Sequence, residues 1–157
     1  MRELTVTIRF TKASLGSVKQ DDEFFLPRSP SGRITFLASW HKANLRFASK
    51  VLNIHQSECE NICWNIEIEG VPHESARYRR YYKTNNGKSR YSVHEAFFAG
   101  DLIAIHCVVP STISDGDFSR LMSTAGQYKG LSPWKPGEFG FFEVVKIAPR
   151  LPTDLEN

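Results

Sequence analysis

The run Arg77-Tyr78-Arg79-Arg80-Tyr81-Tyr82-Lys83, followed by Lys88, Arg90 and Tyr91, sets six cations and four phenol rings within fifteen positions, with no acid among them. Cations at that density meet phosphates and release the counterions condensed on them, and tyrosine rings give unstacked bases a flat surface. The chemistry this allows is binding of RNA or of single-stranded nucleic acid. On an extended chain Arg77, Arg79 and Tyr81 point one way and Tyr78, Arg80 and Tyr82 the other, so both faces are mixed. The same composition also fits an edge hairpin kept soluble by charge. It fits a protein interface as well, where arginine and tyrosine concentrate binding energy.

A second constellation is Gly130-Leu131-Ser132-Pro133-Trp134-Lys135-Pro136-Gly137-Glu138-Phe139-Gly140. Gly130, Gly137 and Gly140 let backbone pass close to a ligand, and exposed N–H groups in such loops can hold phosphate. Trp134 would add a stacking ring and Lys135 a cation. The Lys-Ser/Thr ending of a nucleoside-triphosphate loop is missing, so that ligand is not supported. A helix stop and a Pro-Gly turn account for Gly130 and Gly137 and leave Gly140 over. A third group, His55-x3-Cys59-x3-Cys63, would share one face of a helix, with His106 or Cys107 as a further ligand. The paired-cysteine spacing of zinc sites is absent, and buried thiols explain the same residues. His55, Cys59 and Cys63 are thus the metal candidates of a chain for which no cofactor is expected. Glu67 and Glu69 alternate outward as solvated acids do.

The bulk properties narrow the partners only slightly. A net charge of +3 over 157 residues names no ligand, so the clustering of charge carries the argument. Hydrophobic residues at 41% and charged residues at 24% exclude wholesale disorder. Three cysteines, an odd and low count, speak against a secreted disulfide framework. No signal peptide is evident, and the longest apolar run, Leu102 to Val109, is interrupted by His106 and too short to cross a bilayer. The expected location is the cytoplasm, with no membrane partner.

The elements that must position these residues can be read from periodicity. Leu4, Val6, Ile8 and Phe10 alternate with polar residues and predict a strand. Residues 11–32 read as a long loop with a short extended piece at Phe24 to Leu26. Ser39 is expected to cap a helix over 40–52, with Trp40, Ala43, Phe47 and Val51 on its apolar stripe. Trp64, Ile66 and Ile68 predict a second strand. Arg77–Lys83 and Ser89–Phe98 form a hairpin around Asn85-Asn86-Gly87, where Asn-Gly suits a turn with positive φ at both central residues. Leu102–Val109 is a strand expected to be covered on both faces. Ser114 caps a helix whose Phe118, Leu121, Met122 and Ala125 fall on one stripe and which Gly130 ends. Phe139 to Ile147 is the last strand.

Setting the hairpin aside leaves βαββαβ, the ferredoxin-like arrangement. The expected fold is one α+β domain over residues 1–148, an antiparallel sheet with two helices on one face and an inserted basic hairpin, followed by a flexible tail at 149–157. Such a frame leaves one sheet face open, and related sheets read single-stranded RNA there. With Gly137-Glu138-Phe139-Gly140-Phe141-Phe142-Glu143-Val144 between the last helix and the last strand, the chain resembles the repeat-associated (RAMP) proteins of CRISPR systems, whose loop ends in a Gly-Phe-Gly-like step. It is also similar to small bacteriophage proteins with a Ser-Pro-Trp…Gly-Phe-Gly-type ending. The resemblance covers the C-terminal third and, beyond it, only the order of elements. It departs from the pattern in having only Lys129 and Lys135 as cations around the loop.

The resemblance implies a fold related to CRISPR-RNA-binding subunits, encoded by a phage or mobile element and acting in the host cytoplasm. The leading expectation is a non-catalytic RNA- or single-strand-binding protein. Arg77, Arg79, Arg80, Lys83, Lys88 and Arg90 would take phosphates, and Tyr78, Tyr81, Tyr82 and Trp134 would stack. An alternative is a phage anti-defence (anti-CRISPR-like) module that docks on a host or CRISPR protein complex, or mimics one of its subunits, through the same hairpin. A third reading is a metal-independent endoribonuclease. Related processing enzymes use a histidine as general acid or base on a 2′-hydroxyl, and His41 and His94 are the candidates here. His106, inside the most apolar strand, reads as a packed, hydrogen-bonded residue. No catalytic motif is strong enough to declare an enzyme.

Overall fold

The computed structural model describes residues 1–72, 77–132 and 138–150. In chain order it holds β1 (Arg2–Phe10), β2 (Ser14–Leu15), β3 (Val18–Gln20), β4 (Glu23–Phe25), α1 (Ala38–Leu52), a 3-10 turn (Glu58–Asn61) and β5 (Cys63–Trp64). Then follow β6 (Tyr78–Lys83), β7 (Ser89–His94), β8 (Ala96–Phe97), β9 (Leu102–Val109), α2 (Asp115–Tyr128) and β10 (Phe142–Pro149). The protein is of the α+β class.

The main sheet has the order β10-β1-β9-β5, and every neighbouring pair is antiparallel. Alternation decides its inner face. Leu4, Val6, Ile8 and Phe10 of β1 are buried, and their partners Cys107, Ile105 and Ile103 on β9 are buried with them. Onto this row pack Leu45 and Ala48 of α1 and Phe118, Leu121, Met122 and Ala125 of α2. Both helices therefore cover one face of the sheet, and they touch each other. Fully withdrawing a side chain such as Phe118 or Leu121 is worth about 1.5–3 kcal/mol, so this stripe alone anchors α2.

The helices differ in how well their sequences announce them. Ser114 caps α2 as expected, its hydroxyl accepting from the Asp117 N–H at 3.2 Å. Ser39 does not cap α1; the N-cap is Leu37, with no side-chain bond. The buried stripe of α1 is also displaced. It consists of His41, Asn44, Leu45, Ala48 and Ser49, whereas Val51 is 57% exposed. Asn44 sits inward because the fold brings an acceptor to it, and Ser49 because its own helix supplies one. Asn44 Nδ2 donates to the Gly130 carbonyl at 2.9 Å, and Ser49 Oγ donates to the Arg46 carbonyl.

Five further expectations are corrected. The stretch 11–32 is not a loop; it contributes β2, β3 and β4 to two other sheets. Its polar run is a tight turn, with Asp21 and Asp22 at φ 52° and 68°, values that aspartate tolerates. The expected strand at 64–68 shrinks to Cys63–Trp64, because Asn65 Oδ1 accepts from the Glu67 N–H and folds the chain, leaving Ile66 43% exposed. β9 is continuously packed on one face only; on the other, His106 is buried but Leu102 is 50% exposed. β10 starts after the left-handed Gly140 (φ 78°) and runs past Ile147 to Pro149. Arg150 N–H donates to the Glu3 carbonyl, so the tail expected from 149 does not begin there; residues 151–157 lie outside the described part.

The second sheet, β3-β4-β7-β6, carries the cationic hairpin at its edge. β4 pairs parallel with β7, and the other pairs are antiparallel. Phe97 of β8 stacks on Phe10 at 5.7 Å, and Leu26 joins the same core, which fastens the base of this sheet to the main one.

Candidate nucleic-acid interface

β6 and β7 pair in unbroken register from Tyr78–His94 to Lys83–Ser89. Their connection turns on Gly87 at φ 76°, with the Gly87 N–H donating to the Thr84 carbonyl; Asn85 and Asn86 keep negative φ. The turn is thus not the expected one with positive φ at both central residues, but a longer loop closed by a left-handed glycine. The expected second arm, Ser89–Phe98, also breaks at Glu95, whose N–H goes to Phe24 and whose carbonyl accepts from Gly16.

The register sorts the side chains into two rows. Arg79, Tyr81 and Lys83 share a face with Tyr91 and Val93, and Tyr78, Arg80 and Tyr82 share the other with Arg90, Ser92 and His94. The outer half of the ribbon is open on both. Tyr81 is 69% and Tyr91 53% exposed on the first face, and Tyr82 is 39% exposed on the second. The Arg79 guanidinium lies over the Tyr91 ring at 5.0 Å and that of Arg80 over Tyr82 at 4.7 Å. Arg77 sits over Phe25 at 5.7 Å. Among the described residues Arg79, Lys83, Lys88 and Arg90 make no ion pair.

The inner half of the ribbon is held rigidly. Tyr78 packs against Phe139, Phe98 and the small core of Ala13, Leu15 and Ala96. His94 is fully buried and stacked on Phe24 at 4.8 Å. Its Nδ1–H donates to the Gly16 carbonyl and its Nε2 accepts from Ser92 Oγ, both at 2.7 Å. Burial and the nearby Arg80 charge lower its pKa against the opposing pull of Gly16. With its ring fully buried, His94 has no surface to offer a substrate hydroxyl, so its catalytic candidacy fails. That of His41 fails too. It is 1% exposed, stacked on Trp64 at 4.4 Å, and burial pushes its pKa down to about 3.

The metal candidates do not converge. His55 lies between Glu58 and Asp117, each 2.8 Å from a ring nitrogen, and these carboxylates, Asp117 first, raise its pKa. Cys59 is buried in the 3-10 turn, its thiol pushed up to about 11 by burial, while Cys63 is exposed on β5. The helix that would have aligned all three residues does not form.

Within the glycine loop the described residues form a clasp. The Gly130 N–H donates to Ala125, that of Leu131 to Gly140, and that of Gly140 to Ala13. A Cβ on Gly140 would overlap the Leu131 carbonyl, and one on Gly130 would come within 2.8 Å of Gly140. These N–H groups are spent inside the protein and are not offered to phosphate. Trp134, Lys135 and Gly137 lie outside the described residues.

Sequence reasoning overlooked the clamp beneath the ribbon. Glu95, 6% exposed, receives both Arg28 nitrogens at 2.8 and 2.6 Å and the Leu26 N–H at 2.9 Å. Burial works to raise the Glu95 pKa, but these bonds and the charges of Arg28 and Arg77 outweigh it and hold the carboxyl below its ordinary range. The available signal was that Glu95 is the one acid between Arg77 and Phe98. On the outer face of the main sheet the reading of a packed, hydrogen-bonded histidine holds. There His106, 4% exposed, is hydrogen-bonded through Nδ1 to Thr5 Oγ1 at 2.8 Å, with Glu69 Oε1 3.2 Å from Nε2. A groove of about 740 Å³ runs between α2 and β10, lined by Ser119, Ser123, Val145 and Lys146 among others. No protein-family model and no curated protein matches the chain.

Proposed function

We propose that the protein binds nucleic acid without catalysis, gripping phosphates through the ribbon of β6 and β7. The observation that carries this reading is the ribbon's outer half, where Arg79, Lys83, Lys88 and Arg90 stand on exposed backbone with no acid paired to them among the described residues. Charge kept unpaired beside exposed tyrosine rings suits a polyanion. The frame beneath is proposed to be ferredoxin-like. The order β10-β1-β9-β5, antiparallel throughout, with two helices on one face, supports that assignment and the kinship with RAMP proteins that the C-terminal loop suggests. The glycine clasp belongs to the scaffold in this reading, and the ribbon is the part that meets the ligand.

Titrating a fluorescently labelled oligonucleotide with protein across a salt series tests the proposal. If about five cations release counterions, the logarithm of affinity should fall against the logarithm of salt with a slope near −4, and Lys83→Ala should flatten it by about one. No binding to any nucleic acid at low salt ends the proposal.

A further inference from the structure

Resting on that reading, we infer that the ribbon's ligand is duplex DNA, entered through the major groove, in preference to a single strand. A surface that reads single strands is a one-sided platform, with its reverse packed on a core. This ribbon has no reverse. Tyr81 and Tyr91 are exposed on one face, Tyr82 and Arg90 on the other, and cations stand on both. Its rings are not open platforms either. Arg79 lies over Tyr91, Arg80 lies over Tyr82, and Tyr81 leans on Tyr91 at 5.8 Å and 51°. A base stacking on the covered face of Tyr91 or Tyr82 would have to displace a guanidinium. The guanidinium of Arg79 lies over a ring on one face and that of Arg80 over a ring on the other, which suits phosphates and base edges arriving from both sides.

The main sheet does not supply the missing platform. Its outer rows on β1 and β9 carry Thr5, Thr7, Ala104, Val108, the exposed Leu102 and the buried His106, with Glu3 and Glu69 at the rim and Arg9 paired to Glu143 at 2.8 Å. Among the described residues these rows hold no phenylalanine, tyrosine or tryptophan.

The dimensions favour a groove. The major groove of B-form DNA is about 12 Å wide and admits a two-stranded ribbon. Same-face residues on a strand repeat about every 6.8 Å, close to two base-pair rises, so Arg79, Tyr81 and Lys83 keep step with the duplex. The major groove of A-form RNA is deep and narrow, which makes DNA the duplex of choice. The buried clamps of His94 and Glu95 hold the base of the ribbon, so it is presented already shaped.

The experiment compares the full chain on one labelled DNA duplex of about 20 base pairs, roughly two helical turns, on each of its single strands, and on the RNA duplex of the same sequence. The DNA duplex should bind about tenfold or more tighter than the others, a difference of about 1.4 kcal/mol. Methylating guanine N7, which faces the major groove, should weaken it. Lys83→Glu on one face and Arg90→Glu on the other should each lower duplex affinity. Tighter binding to a single strand, equal binding to the RNA duplex, or indifference to N7 methylation overturns the groove assignment and leaves the nucleic-acid reading standing. Binding to none of the four overturns both.

Discussion

Glu95 shows how much a single buried group can do in this protein. Its carboxylate is compensated by Arg28, which keeps 38% of its side chain in solvent. Glu95→Gln should cost about 3 kcal/mol, the low end for breaking a buried pair, since the exposed partner is screened. Urea unfolding at neutral pH measures it. Because the folded pKa lies below the ordinary 4.5, the pair's contribution is whole above that value and is lost as pH falls through the folded pKa. Two histidines act with opposite signs. His41 titrates near 3 in the fold against 6.5 when unfolded, so its contribution is present above pH 6.5. That contribution drains by up to about 1.4 kcal/mol per pH unit on acidification towards 3. His41→Phe should flatten that limb. His55 is raised by Asp117 and Glu58, so its contribution is whole below pH 6.5 and lost as pH rises through the folded pKa. His55→Ala should therefore cost more at about pH 6 than at about pH 9; equal losses in thermal melts would sink that account.

Among the elements, the two helices separate what capping residues promise from what they do. Ser114→Ala removes a bond to the Asp117 N–H and should cost about 1 kcal/mol. Ser39→Ala, at a position that caps nothing, should stay within about 0.5 kcal/mol. Denaturant midpoints of the two variants, compared at equal slope, check the contrast. The apolar period of α2 was legible because Phe118, Leu121, Met122 and Ala125 need nothing from elsewhere but burial. The stripe of α1 was not, because Asn44 turns inward only if the Gly130 carbonyl is there to receive it. Likewise β2 and β3 were unreadable as strands, and β4 was legible only as a short extended piece. Two or three residues carry no periodicity, and their stability comes from partners far along the chain, such as Phe97 for Ser14 and His94 for Phe24.

Across the whole molecule, the cores and the ribbon tip are separable. Replacing Tyr81 to Tyr91 by a two-residue Asn-Gly turn keeps the Ser92–His94 bond and removes exposed side chains and little apolar packing. The shortened chain should unfold within about 1 kcal/mol of the parent and lose its salt-dependent affinity for nucleic acid. A large drop in melting temperature would mean that the ribbon is part of the fold and not an arm mounted on it.

By itself the sequence determined β1, β9 and the body of β10, the helix α2, the cationic hairpin and the α+β class. Each rests on a period or a turn signal that neighbouring residues carry among themselves. Only the tertiary structure decided where polar groups find partners. It closed Gly130 on Gly140, buried His41 and His94 beyond use, and set Arg28 beneath the ribbon. It also left the ribbon's outer half exposed on both sides, where none of the described residues covers it. Hydrogen-bond satisfaction and exposure depend on segments brought together from across the chain, and no local pattern records them.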